Sequence, residues 1–282
     1  MKKRFSIALA GMMMAVLAGC SSAAEETLPA AEETKMEAGT QTAAEEAVPE
    51  TVIIRSYNGE KEQIELEVPY DPQRIAILDM ASLDIIDALG LGDRVVGSAP
   101  TTIDYLSDYV PDDSNGIANL GTIKNADLVE VAACEPDVIF IGGRLSAVYE
   151  DLSAIAPVVY LSVEPEKGVV KSTAENARTI ASIFGEEEKA DALMKEFDSR
   201  IQAVREQYEG KNAIVGMYSG SNYNVLGNDG RCSLIGNELG FHNLGADAGE
   251  ITSTHGNEAS WETIVNCLLY TSDAADDMQC VD

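Results

Sequence analysis

STAENARTIASIFGEEEKADALMKEFDSRIQAVREQY, residues 172–208, is the longest uninterrupted helical signal in the chain and lies between two strand-rich halves. Apolar residues recur at Ala177, Ile180, Ala181 and Phe184, and beyond Gly185 at Leu193, Phe197, Ile201, Val204 and Tyr208. Steps of three and four place them in one stripe on one helical face. No proline interrupts the run; Gly185 marks a break or kink and Gly210 a stop. The pattern predicts one or two helices of unusual combined length bridging two α/β lobes. Such a body leaves a cleft between its lobes, and small ligands bind in clefts of that kind.

Toward the N-terminus, residues 51–68 alternate polar and apolar side chains around Asn58-Gly59, a hairpin signal. Residues 74–78 read as a buried strand, 80–89 as a helix ended by Gly90, and 95–97 as a second short strand. A helix is expected over 127–134, after which Pro136-Asp137 leads into a strand over 138–141 that runs into Gly142-Gly143-Arg144. A helix over 145–155 and a strand over 158–161 complete this half. Strands alternating with helices predict a mostly parallel sheet covered on both faces. Beyond the long helix the same grammar restarts, with strands over 213–217 and 223–226, a turn over 227–230, a helix over 233–239 closed by Gly240, and another over 260–265. An α/β lobe needs roughly 100 residues, and this second one has about half that.

The chain of 282 residues has room for two domains, and its 45% hydrophobic content suffices for real cores. Its net charge of −29 argues against nucleic acid or an anionic membrane surface as partner, since both would repel it. Five cysteines are scattered without metal-ligand spacing or the look of a disulfide framework. Residues 1–19 carry Lys2, Lys3 and Arg4, an apolar run over 5–17 and then small residues, the order of a secretory signal too short to stay as a membrane span. Leu17-Ala18-Gly19-Cys20 resembles the bacterial lipobox, in which the cysteine is lipidated and begins the mature protein; the competing reading is an ordinary signal followed by a chance Cys20. Residues 21–50 are Ala, Glu and Thr with almost no large apolar side chain, and read as a disordered acidic tether.

Basic residues are scarce where they would matter. Between Val95 and Glu166 they are Lys124 and Arg144, and from Asn212 onward Arg231 stands alone. Arg144 follows Gly142-Gly143 at the carboxyl end of a predicted strand, the edge that faces ligand in an open α/β sheet. Arg231 follows Asn228-Asp229-Gly230, a turn leading into a helix. Two readings stand. One guanidinium from each lobe makes an anion trap, each charged hydrogen bond contributing about 1.5–3 kcal/mol. Alternatively each is a surface Arg paired with a neighbour such as Glu150 or Asp229, at about 0–1 kcal/mol.

At these residues the sequence resembles a family. The lipobox, the tether, residues 74–78, Glu135-Pro136-Asp137, Gly143-Arg144-Leu145-Ser146, Ile155-Ala156-Pro157, Gly230-Arg231 and Ser253-Thr254-His255-Gly256 together resemble the ferric-siderophore-binding lipoproteins of ABC importers, nearest the branch for catecholates of the enterobactin and petrobactin kind. The likeness covers about 51–266, and its Gly-Arg and Thr-His-Gly pieces are its most specific parts. It implies an α/β fold of two Rossmann-like lobes bridged by a long helix, with 51–170 the first lobe, 171–210 the bridge and 211–266 part of the second. Arg144 and Arg231 would hold the anionic ferric complex. His255 would complete the iron coordination where a siderophore leaves sites open, imidazole being a suitable iron ligand; its other reading is a hydrogen bond within its own loop. Glu262 and Glu130 would dock the permease, Glu130 a near match because the family acid falls one residue earlier, at Val129. The protein would carry no cofactor of its own, Fe(III) arriving inside the siderophore. It would work as a monomer with an ABC permease and its ATPase, anchored outside the cytoplasm through lipid on Cys20.

After Asn266 the family pattern continues with a Pro-Asp step, a strand ending in Asp-Arg and the rest of the second lobe. Here Cys267-Leu-Leu-Tyr-Thr-Ser and an acidic end follow instead, so 267–282 are expected to be non-native, and a third ligand-holding Arg and an iron-ligating Tyr have no counterpart. Three other functions compete. A haem or cobalamin carrier of the same superfamily has no use for both arginines and His255 together. A secreted hydrolase needs a nucleophile elbow that Tyr218-Ser219-Gly220 does not supply, and neither His242 nor His255 shows a readable pairing with a nucleophile. A surface scaffold lipoprotein is equally compatible with the tether.

Overall fold

A computed structural model of the chain describes residues 49–112, 114–219, 222–228, 232–247, 251, 255–262 and 264–265. Cys20, Arg231 and residues 267–282, to which the sequence gives expectations above, lie outside the described residues.

The chain opens with an antiparallel hairpin, β1 (Thr51–Tyr57) and β2 (Gln63–Pro69), in full register from Thr51 opposite Pro69 to Tyr57 opposite Gln63. Then come β3 (Ile75–Leu78), α1 (Met80–Ala88), β4 (Val95–Ser98), β5 (Ala118–Asn119), the small β6 (Gly121–Thr122) and β7 (Asn125–Ala126) pair, and α2 (Leu128–Ala133). β8 (Val138–Ile141), α3 (Tyr149–Ser153) and β9 (Val158–Tyr160) follow. β5, β4, β3, β8 and β9, in that order, form one parallel sheet. The chain steps outward from β3 to β4 and β5, then returns to lay β8 and β9 on the other side. The order therefore reverses between β3 and β8.

Every residue of β3 and of β8 is buried, which is why both read as unbroken apolar runs rather than alternating ones. Ile75, Ile77 and Phe140 face a cluster with Leu83 and Ile86 of α1, the hairpin's Ile54 and Val68, and Ile180, Ile183 and Phe184 of the first long helix. Ala76, Leu78, Ile139 and Ile141 face a second cluster with Val131, Leu145 and Leu152. Fully burying one such side chain contributes about 1.5–3 kcal/mol, so the two clusters hold the sheet between two covering layers.

The stretch over 172–208 forms two helices, α4 (Val169–Phe184) and α5 (Glu187–Tyr208). Gly185 ends the first in the left-handed conformation, φ 69°, a state that costs glycine nothing. α4 begins at Gly168, and the Glu238 carboxylate accepts hydrogen bonds from Val170 N at 3.1 Å, a negative group set at a helix N-terminus. Ser233 Oγ accepts from Val169 N at 3.3 Å, which ties the 232–239 segment to the start of α4.

Beyond α5, β10 (Asn212–Ala213) precedes β11 (Gly216–Ser219) and β12 (Asn222–Val225). After them come β13 (His242–Asn243), α6 (Leu244–Asp247) and β14 (Asn257–Glu258). β10 pairs with β13 in parallel, and β11, β12 and β14 form an antiparallel sheet. The helix expected over 233–239 is a five-residue π turn, Leu234–Glu238. The one expected over 145–155 is a 3-10 turn, Gly143–Val148, followed by the short α3. The tightening comes from i to i+3 hydrogen bonds, Leu145 N to Gly142 O and Tyr149 N to Ser146 O, with Leu145 pulled into the core. No helix among the described residues is long and apolar enough to cross a membrane.

Candidate functional site

The reversal between β3 and β8 leaves a crevice off their carboxyl ends, the place where open α/β sheets bind ligands. Its volume is about 650 Å³, and among the described residues it is lined by Lys61, Leu78, Asp79, Met80, Ile123, Gly142, Gly143 and Arg144. That size suits a small ligand. Leu78 and Asp79 come from the end of β3, and Gly142 to Arg144 from the end of β8.

Gly142 and Gly143 pack closely against two side-chain ends. A Cβ on Gly142 would meet Asp79 Oδ1 at 2.7 Å, and one on Gly143 would meet Tyr160 Oη at 2.6 Å. With glycine at both, the backbone lies close against β3 and β9 and delivers Arg144, exposed, to the rim. Arg144 forms no ion pair among the described residues. The crevice's own carboxylate, Asp79, caps α1 and accepts from Ser82 N and Ser82 Oγ at 2.9 Å each, which sets its charge against the helix N-terminus. Burial, then Tyr57 and Asp79, raise the Tyr160 phenol above its ordinary value, so it stays protonated behind Gly143.

Lys61, which no sequence pattern singles out, also lines the crevice. It is the residue of the hairpin turn with φ 64°, and Asn58 Oδ1 holds that turn by accepting from Glu60 N at 3.0 Å and Glu62 N at 2.9 Å. Asn58-Gly59 was legible as a turn, but its docking was not.

His255 is exposed on the segment leading into β14, and the described lining of the crevice does not include it. Gly256 beside it has φ 80°, and a Cβ there would meet Val225 O at 2.3 Å, so the His-Gly step needs its glycine. Glu130 is exposed in the first turn of α2, next to Val129, itself 75% exposed, where Asp127 Oδ1 accepts from Val129 N and Glu130 N. Glu262 is exposed beside Trp261, whose ring lies 6.3 Å from that of Tyr223. Thus Arg144 is placed at a ligand-sized crevice, while Glu130, Glu262 and His255 lie on exposed surface. No group of three or more His, Cys, Asp or Glu among the described residues could hold a metal ion.

A larger groove, about 1570 Å³, runs between β1, α4 and α5. Two of the cations that line it, Lys167 and Arg178, are held by acids, while Arg55, Lys171 and Lys195 form no ion pair among the described residues. Lys167 bonds Glu164 and Glu175 at 2.8 and 2.6 Å, and Arg178 pairs with Asp191. The Lys167 hydrogen bond, helped by Lys171 and Arg55, holds the Glu175 carboxyl below its ordinary value. With Glu164, Glu175, Glu187, Asp191, Asp198 and Glu206 lining it against five cations, the groove offers an anion less than the crevice does.

Comparison with known proteins agrees with this architecture. Residues 75–273 match the profile of the periplasmic binding protein family. The chain belongs to that family. The petrobactin-binding protein YclQ of Bacillus subtilis (strain 168) is 34% identical over 201 residues, covering 70% of this chain and 62% of YclQ. The chain therefore matches less than two thirds of that curated relative's length. The crystal structure of YclQ superposes with a TM-score of 0.69 at 30% identity, covering 78% of this chain and 75% of that one. The periplasmic catecholate-siderophore-binding protein VctP of Vibrio cholerae gives 0.66 at 25% identity, covering 77% and 75%. In this periplasmic binding protein the crevice lies wholly within the profile match except for Lys61, which precedes it.

Proposed function

We propose that the protein is the substrate-binding lipoprotein of an ABC importer and captures a ferric siderophore of the catecholate type. The observation that carries this reading is Arg144, a guanidinium outside any described ion pair, set at the rim of the crevice where the strand order reverses between β3 and β8. A ferric tris-catecholate is multiply negative and has an apolar rim of aromatic edges. The half-buried Met80 and Ile123 beside Lys61 and Arg144 are complementary to both properties. The names of YclQ and VctP support the ligand class.

On this reading, residues 51–170 and 211–266 act as two lobes about the helical segment, and Arg231 of the second lobe supplies a further positive contact. His255 reaches the iron where the chelate leaves a position open, while Glu262 and Glu130 meet the permease, which works with its ATPase. The iron is cargo within the ligand, and the protein contributes no catalytic step. Lipid on Cys20 holds the binding body at the outer face of the cell membrane, where it works as a monomer.

The test is a titration of the full chain with the ferric complex of a synthetic hexadentate tris-catecholamide, followed by quenching of Trp261 and tyrosine fluorescence. Saturable quenching at micromolar or lower concentration is expected, and Arg144→Ala should weaken it by about one to two powers of ten, the value of one good charged contact. Absence of saturable quenching, or an unchanged affinity in Arg144→Ala, would overturn the reading.

A further inference from the structure

Lys61 and Arg144 reach the same crevice from elements far apart in the chain, and their turns are packed against one another. Gly59, two residues before Lys61, lies so close to the Arg144 turn that a Cβ there would meet Ser146 O at 2.9 Å and Tyr149 Cβ at 3.1 Å. The hairpin is fastened to the sheet below as well. Ser56 Oγ donates to Tyr160 O at 3.3 Å and accepts from Tyr160 N at 3.0 Å, and the Tyr57 and Tyr160 rings lie 5.4 Å apart.

The turn itself is closed by three further bonds, Lys61 N to Asn58 O at 3.0 Å, Asn58 N to Glu62 O at 2.9 Å, and Asn58 Nδ2 to Glu62 Oε2 at 3.4 Å. Lys61 adopts φ 64°, a conformation that an ordinary side chain leaves unless the surroundings hold it. Its ammonium forms no ion pair among the described residues. An exposed lysine in a pinned turn, lining the same crevice as Arg144 from a turn packed beside it, is placed to share an anion with it.

We infer that Lys61 is a second ligand-binding cation of the crevice, and that it sets a preference for multiply charged ferric complexes over uncharged ones. The inference rests on the proposed function above. The two head groups differ in what they give. The guanidinium is a flat fork suited to paired catecholate oxygens, and the ammonium is a compact charge on a flexible stem that follows a ligand of varied shape. Asp79 opposes them less than a free carboxylate would, because the α1 N-terminus partly offsets its charge. A ligand carrying one negative charge would be served by Arg144 alone. A triply charged one gains from both cations.

The experiment uses the full chain with two ferric complexes of similar size, the trianionic hexadentate tris-catecholamide and an uncharged hexadentate tris-hydroxamate. Lys61→Gln and Lys61→Arg keep a side chain at the strained backbone position, so they change charge and head-group shape without changing the turn. Thermal melts confirm that both fold as the parent does. Lys61→Gln is expected to bind the trianion about tenfold more weakly, the loss of one charged contact, and to bind the uncharged complex as the parent does. Lys61→Arg should keep the trianion affinity within about twofold, since the charge stays. If the parent and Lys61→Gln bind the trianion equally while Arg144→Ala is weakened, the inference about Lys61 is wrong and the proposed function stands. An equal loss for both complexes in Lys61→Gln also overturns it, because charge selection is then absent. If the parent binds no trianion, the proposed function falls and this inference falls with it.

Discussion

Asp137, in the step that leads into β8, holds two strand entries together. Its Oδ2 accepts hydrogen bonds from Gln73 N and Arg74 N at 2.8 Å each, while Arg74 Nε donates to the carbonyls of Cys134 and Glu135. These bonds staple the entry to β3 onto the entry to β8, the two strands whose far ends make the crevice. Asp137→Ala removes two charge-assisted bonds in a partly wet position and should lower stability by about 1–3 kcal/mol. A chemical denaturation midpoint that does not move would contradict this. The Glu135-Pro136-Asp137 step was legible as the approach to a strand, and Gly142-Gly143-Arg144 as a ligand-facing loop, because strand, glycine and charge are adjacent in sequence. Lys61 was not legible, since its nearness to Arg144 depends on how a hairpin tip docks on a 3-10 turn, a contact no local pattern encodes.

Among the secondary elements, what could be read was what has a period or an unbroken apolar run. β3, β8 and β9 are fully buried and announce themselves as such, and the long helical signal appears as α4 and α5 with the break at Gly185, its stripe buried at Ala177, Ile180, Ala181, Phe184 and Ile201 but exposed at Leu193 and Phe197. The two-residue strands β5, β6, β7, β10, β13 and β14 carry no period at all, and the order β5, β4, β3, β8, β9 is set by packing on both faces. The α4–α5 junction is testable in its own right. Gly185 has φ 69°, and a Cβ there would meet Tyr70 Oη at 2.1 Å, so Gly185→Ala adds left-handed strain and a collision. A loss of at least about 1–2 kcal/mol is expected, read as a lower thermal or denaturant midpoint. An unchanged midpoint would mean that the two helices tolerate another junction.

For the molecule as a whole, the account depends on a contrast between global and local charge. The chain carries −29, yet the crevice presents two cations outside any described ion pair and one carboxylate already engaged as a helix cap. At physiological salt the reach of distant charges falls off over about 8 Å, so a bound anion responds chiefly to what lines the crevice. The same reasoning disfavours the larger groove beside α4 and α5, where Glu164, Glu175 and Asp191 offset the nearby cations. The most direct measurement is hydrogen–deuterium exchange of the full chain with and without the trianionic ferric tris-catecholamide. Slowed exchange is predicted in the segments 58–62, 78–80 and 142–146, which surround the crevice. Protection confined to the α4 and α5 faces of the larger groove, or none in those three segments while the ligand is bound, would contradict the account.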